Sequence, residues 1–202
     1  MSEYIDTLLE ALKSIDLSNC AIKVNGKMTF INERSFAYEL YRAWNVFRPS
    51  DLVINAEVTK KIDDKKYSEK AKELFGKNVK RFSPDIVLHG GQKDFNRQEI
   101  ICEIKDRKYL RKDSFCKDIK KLKAYTTEDE VLIHEFKTGF FILINGNASD
   151  VANKITDESL SLISDSKILF LFMTINDKKA IPILKTPSEI IEIRNNLKNS
   201  KI

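Results

Sequence analysis

Three short apolar runs, with helical patterns before the first, between the second and third, and after the last, constrain the fold of this chain more than any other feature. The runs are Ile86 to Leu88, Ile100 to Ile104 and Phe140 to Ile144. Runs of this length, rich in β-branched and aromatic residues, are typical of strands that are covered on both faces of a sheet. Because helical patterns precede the runs, follow them and separate the second from the third, the sequence predicts an α/β fold.

The spacing of apolar residues extends this prediction along the chain. It predicts helices at residues 3–15, 34–47, 68–75, 113–125 and about 150–163, and a last helix that opens at Thr186-Pro187-Ser188-Glu189. It predicts strands at residues 52–59, 85–89, 99–105, 139–144 and 167–175. We therefore expect a central mixed sheet of about five strands, flanked by helices on both faces. With 202 residues, the chain is expected to form a single domain over residues 1–202.

Charge is distributed unevenly along the sequence. The net charge is +5, but residues 105–123 contain nine Lys or Arg against three Asp, which leaves +6 in this segment and about −1 elsewhere. Such a segment can attract a polyanion, although a solvated basic surface would have the same composition. The three cysteines lack metal-site spacing, and no apolar run reaches the length of a membrane span. A cytoplasmic protein without membrane association is the resulting expectation.

One strand carries an acid and a lysine where charge is costly. Glu103 and Lys105 close the apolar run that begins at Ile100, and their spacing of two places both side chains on one face. Asp85, after Pro84, opens the preceding strand, so pairing of the two strands would bring its carboxylate beside Glu103. A turn acid and a strand-end ion pair are the simpler interpretations of these residues.

Two adjacent carboxylates repel each other unless a cation lies between them. A hard divalent ion such as Mg²⁺, or Mn²⁺ in its place, suits this all-oxygen setting. A nearby lysine can orient or help to deprotonate an attacking water, or neutralise charge that develops on a phosphoryl oxygen. These are the requirements of phosphodiester hydrolysis. The three residues therefore indicate a metal-dependent hydrolase.

Pro84-Asp85 followed by Glu103-x-Lys105, with Glu39 on an upstream helix, resembles the PD-(D/E)XK nuclease superfamily. The resemblance covers about residues 34–145 and implies a restriction-endonuclease-like core of helix, three strands, helix and strand, followed here by a C-terminal strand and helix over residues 167–199. It implies that Asp85, Glu103 and the carbonyl of Ile104 hold the metal, and that Lys105 serves the water. Glu39 matches the helix acid of many members, with Glu33 and Glu57 as neighbouring alternatives and a solvated helix flank as the simpler interpretation.

The sequence thus predicts a Mg²⁺-dependent nuclease that acts on nucleic acid, with DNA as the first expectation. Lys117, Lys120 and Lys121 on the basic helix are expected to contact phosphates, which positions the nucleic acid without reading its sequence. The alternative is an inactive member of the same fold that binds nucleic acid or protein. An interaction protein without nucleic acid is a third reading, and a homodimer or a partner protein could supply specificity.

Overall fold

A computed structural model describes most of the chain. The described residues are 3–16, 19–24, 27–30, 33–56, 84–91, 94, 97–127, 135–176 and 179–200. The predicted helix at 68–75, the end of the predicted strand at 52–59 and the alternative acid Glu57 lie outside these residues.

Six strands of the described residues form one mixed sheet, so the α/β prediction is confirmed and the count of about five is one too low. The strands, in their order across the sheet, are β3 (Val53–Ala56), β4 (Ile86–His89), β5 (Gln98–Asp106), β6 (Thr138–Ile144), β7 (Ile168–Asn176) and β8 (Lys179–Lys185). β5, β6 and β7 are parallel neighbours, and the remaining pairs are antiparallel. A separate hairpin, β1 (Ala21–Val24) with β2 (Lys27–Phe30), was not predicted.

The described residues contain six α-helices. They are α1 (Glu3–Ser14), α2 (Glu33–Phe47), α3 (Lys112–Thr126), α4 (Ala148–Ala152), α5 (Asp157–Ile163) and α6 (Pro187–Asn199). The prediction of one helix at about 150–163 is wrong, because Thr156 starts a new helix there by accepting the backbone N–H of Ser159 on its side chain. Within the described part of the chain, no helix has the length and apolar character needed to cross a bilayer.

The sheet separates two apolar cores, which follow from the alternation of side chains along each strand. On one face, Leu8 of α1 and Leu40 and Trp44 of α2 belong to the same core as Ile104 of β5. On the other face, α3 packs Phe115 against Phe141 of β6, with the two rings edge to face at 5.2 Å between centroids. Odd-numbered residues of β5 therefore face α3, and even-numbered residues face α1 and α2.

Candidate active site

The end of β5 projects beyond its neighbour β4. β4 and β5 form the antiparallel pair that the sequence predicted, and the pairing stops at Ile86 opposite Cys102. Asp85 still donates its N–H to the Cys102 carbonyl at 3.1 Å. The rest of β5 extends past the start of β4, so its backbone groups on that side need other partners.

Two carboxylates accept hydrogen bonds from backbone N–H groups at this end of β5. Asp85 Oδ2 accepts the N–H of Ile104 at 2.6 Å, and Glu33 Oε1 accepts the N–H of Asp106 at 3.1 Å. Asp85 is placed by the start of β4, and Glu33 by the first turn of α2. Because the N–H and C=O of one strand residue point to the same side, the Ile104 carbonyl faces the same edge as Asp85. The projecting end of β5 thus gathers carboxylate and carbonyl oxygens.

The side chains of Glu103 and Lys105 turn towards α3, where a second acid and a second lysine meet them. Lys121 Nζ lies 2.5 Å from Glu103 Oε2 and 3.3 Å from Asp118 Oδ1. Lys105 Nζ lies 3.3 Å from Asp118 Oδ2 and 3.5 Å from Glu33 Oε2. Asp118 therefore joins the two lysines.

We call the six side chains of Glu33, Asp85, Glu103, Lys105, Asp118 and Lys121 the acid–lysine cluster. Its four carboxylates face two ammonium groups, so the cluster carries a formal charge of −2 when every group is ionised. Glu103 Oε1 is buried and accepts no hydrogen bond from the described residues. An unpaired buried oxygen beside an excess of negative charge is unfavourable, and a cation would relieve both conditions.

The pKa values reflect this imbalance. Burial raises the pKa of Glu103 to about 8, with Asp85 and Asp118 adding to the effect and Lys121 opposing it. Burial likewise raises the pKa of Asp85, although the Ile104 N–H and the lysines oppose the rise. Burial alone would lower the pKa of Lys105 and Lys121, but the surrounding carboxylates raise both. The lysines are therefore held as ammonium ions, while Glu103 retains its proton near neutral pH.

The donor chemistry of the cluster fits a hard divalent cation, because carboxylate and carbonyl oxygens are the ligands that Mg²⁺ and Mn²⁺ prefer. Among the described residues, no three His, Cys, Asp or Glu side chains already surround a common point as a metal site would. Lys121 instead lies directly against Glu103. A metal ion at Glu103 would therefore compete with the Lys121 ammonium.

Glu39 is not brought to the cluster. Among the described residues, its Oε2 accepts from Arg42 Nη2 at 2.7 Å and from Asn19 Nδ2 at 3.5 Å. The α2 acid at the cluster is Glu33, six residues earlier, which the sequence offered only as an alternative. The reason is geometric, because the first turn of α2 reaches the projecting end of β5.

The three lysines expected to contact phosphates have different environments. Lys117 is exposed and forms no ion pair with another described residue. Lys120 Nζ pairs with Glu158 at 2.5 Å. Lys121 points into the cluster, so the expectation of a surface phosphate contact does not fit its position.

Sequence reasoning also missed Asp118, although a signal for it exists. Asp118 lies three residues after Phe115 and four before Leu122, so it belongs to the apolar stripe of α3. An acid in such a stripe is buried, as this one is, and needs a partner.

Comparison with protein-family models, curated proteins and solved structures gave no match to this chain.

Proposed function

We propose that this chain is a metal-dependent nuclease that hydrolyses phosphodiester bonds in nucleic acid, with DNA as the first candidate substrate. The proposal depends on one observation above all: Asp85, Glu103 and Lys105 meet at one sheet edge, in a cluster with excess negative charge. An ion pair at a strand end would need only one acid and one base. Four acids around two lysines are better explained by a site that binds a further cation.

A restriction-endonuclease-like fold is part of the proposal. The order α2, β3, β4, β5, α3, β6 corresponds to the helix, three strands, helix and strand that the resemblance implies. β3, β4 and β5 form an antiparallel meander, and β6 runs parallel to β5 after α3. This connection places the acid and lysine of β5 against the helix that follows them.

Asp85, Glu103 and the carbonyl of Ile104 would hold the Mg²⁺ or Mn²⁺ ion. When bound, such an ion supplies charge neutralisation for the phosphate and makes a water molecule more acidic. Glu103 would give up its proton on binding, since a protonated carboxyl is a poor ligand. Asp85 would keep its position through the hydrogen bond from Ile104.

Lys105 acts as an ammonium group in this proposal and not as a base. Asp118 and Glu33 raise its pKa above the ordinary lysine value, so it cannot take a proton from water near neutral pH. A fixed positive charge at this place can orient the attacking water and stabilise the negative charge that develops on the phosphoryl oxygens. Asp118 and Glu33 position that charge through their contacts of 3.3 and 3.5 Å.

Residues 105–123, here called the basic segment, would bind the phosphates of the substrate close to the cluster. The exposed residues Lys108, Arg111, Lys112 and Lys117 follow directly after the end of β5 in the chain. Phosphates held by these side chains would lie near the acid–lysine cluster, and binding would weaken steeply with added salt. These contacts carry no base specificity.

A second candidate function has its own support. Lys121 already contacts Glu103, and Lys105 already contacts Asp118, and a protein that binds nucleic acid without cutting it could use these contacts for structure alone. This alternative predicts binding to DNA without metal-dependent cleavage.

Cleavage assays separate the two candidates. Plasmid DNA, single-stranded DNA and RNA are incubated with Mg²⁺, Mn²⁺ or chelator, using the wild type and the variants Asp85→Ala and Lys105→Ala. We expect cutting only with metal, and a loss of at least about 100-fold in both variants. Lys137→Ala is the matched control. Lys137 pairs with Glu99, which lies at the opposite end of β5 from Lys105. Salt-sensitive binding without cutting would favour the alternative, and chelator-resistant or variant-independent cutting would rule out the assigned site.

A further inference from the structure

A cavity of 470 Å³, broadly open to solvent, lies between α2 and the sheet edge at β3. It is lined by Tyr38, Tyr41, Ile54, Asn55 and Ala56. Among the described residues, the lining has no charged side chain, two aromatic rings and one amide.

Both tyrosines are exposed to solvent. Tyr38 is 51% exposed and Tyr41 is 37% exposed, and their spacing of three places them on adjacent turns of one helix face. The guanidinium of Arg34 lies 5.8 Å from the centre of the Tyr38 ring, within range of a cation–π interaction. An aromatic surface with a cation beside it is the kind of platform on which single-stranded nucleic acids stack their bases.

Both walls of the cavity are connected to the acid–lysine cluster. On the sheet side, Ala56 pairs with Ile86, which directly follows Asp85. On the helix side, Glu33 precedes Tyr38 by five residues, about 7.5 Å along the helix axis. The cavity therefore lies at the end of the sheet where β4 begins and Asp85 joins the cluster.

We propose that this cavity receives an unpaired base of a single-stranded segment of nucleic acid whose backbone lies at the acid–lysine cluster. The inference rests on the proposed function for the role of the cluster. None of the described lining residues carries a charge that would hold the phosphate, which belongs to the basic segment, and Asn55 adds a polar residue to the lining. A base inside a duplex is stacked on both faces and cannot enter, so the substrate is single-stranded or locally unpaired at this point.

Binding to oligonucleotides with and without bases tests this proposal. A labelled 12-nucleotide oligothymidine and an abasic oligonucleotide of the same length are titrated with protein in chelator, and fluorescence anisotropy gives both Kd values. Base stacking on an aromatic side chain contributes enough for a preference of about 5- to 100-fold for the oligonucleotide with bases. We expect this preference in the wild type and its collapse towards unity in Tyr38→Ala and Tyr41→Ala.

Two matched variants isolate the aromatic ring. Tyr38→Phe keeps the ring and should keep the preference. Phe47→Ala removes an aromatic side chain of similar exposure, 39%, from the same helix but outside the cavity, and should also keep it. Circular dichroism confirms that each variant is folded. A wild type that binds both oligonucleotides equally, or a preference that survives in both tyrosine-to-alanine variants, would overturn the proposal.

The binding experiment can be interpreted whether or not the protein cuts nucleic acid. If the wild type cuts nucleic acid but shows no tyrosine-dependent base preference, the base site is wrong and the nuclease proposal stands. If the preference is present but no metal supports cutting, the base site stands and the catalytic proposal fails. An oligouridine arm shows whether the site takes the ribose form, the deoxyribose form or both, and a tyrosine-dependent preference with either sugar supports it.

Discussion

Replacing Glu103 by Gln should stabilise the protein in the absence of metal. Glutamine has the shape of a protonated glutamic acid and cannot ionise, so it removes the cost of a buried negative charge. Glu103 is 4% exposed, and its pKa is about 8 against an ordinary value of 4.5. At a pH between these two pKa values, Glu103 is protonated in the folded protein and ionised in the unfolded chain.

The sign and size of the effect follow from proton linkage. Because the folded state binds the extra proton, the free energy of unfolding of the wild type falls as pH rises from about 4.5 to about 8. The two pKa values differ by about 3.5, and each pH unit corresponds to about 1.4 kcal/mol, so the total approaches about 5 kcal/mol. This is an upper bound, since water that enters around the ionised carboxylate lowers its cost.

Urea unfolding at several pH values measures the effect, in chelator and with tryptophan fluorescence as the probe. The chain has one tryptophan, Trp44, which is fully buried. We expect Glu103→Gln and the wild type to be about equally stable near pH 4.5, and the variant to gain steadily up to pH 8. Glu158→Gln is the control. Lys120 lowers the pKa of Glu158, so this variant should be less stable, with a profile parallel to the wild type over this range. Parallel profiles for Glu103→Gln and the wild type would refute the reasoning.

Three further predictions concern binding and stability. Lys117→Ala should reduce the slope of log affinity for duplex DNA against log salt by about 0.9, while Lys137→Ala should leave it unchanged; an unchanged slope in Lys117→Ala would remove this lysine from the interface. Leu40→Ala should lower the free energy of unfolding by about 2 to 5 kcal/mol because Leu40 is fully buried, and a urea midpoint near that of the wild type would contradict its place in the core. Thr186→Ala removes the cap that accepts the Glu189 N–H, so a loss of about 1 kcal/mol and a Tm lower by about 2 to 4 °C are expected; an unchanged Tm would show that the cap contributes nothing.

The central part of the site was predictable from local sequence. A proline before an acid, and an acid and a lysine two apart at the end of an apolar run, were enough to place Asp85, Glu103 and Lys105 at one sheet edge. Alternation fixed the shared face of Glu103 and Lys105, and the run lengths identified the two strands that pair. These are short-range features, and the strand pairing follows from them.

The remaining members of the cluster depend on tertiary packing. Glu33 and Glu39 lie on the same helix, and only the docking of α2 against the end of β5 decides that Glu33 reaches it. Lys121 belongs to the basic segment, and a lysine among other lysines is expected at the surface. In the structure, however, α3 packs with the Lys121 side chain turned towards Glu103. Asp118 was detectable as an acid in an apolar stripe. Its role as the link between Lys105 and Lys121 required the structure.

The fold shows the same division between local and tertiary information. The runs that form β5 and β6 are long and apolar, and both strands were predicted. β8 contains polar residues and a proline, Pro182, and among the described strands it has a neighbour on one side only, so its sequence lacks the pattern of a central strand. The break between α4 and α5 depends on the cap at Thr156, whose signal is weaker than the apolar periodicity around it.

Calorimetric titration with Mn²⁺ tests the central claim most directly, because it asks whether the acid–lysine cluster binds a divalent cation at all. At about pH 8 we predict one ion per wild-type chain, at least about tenfold weaker binding in Asp85→Asn and Glu103→Gln, and proton release on binding as Glu103 loses its proton. Wild-type protein that binds no ion at millimolar Mn²⁺, or variants that bind it as tightly as the wild type, would contradict the account.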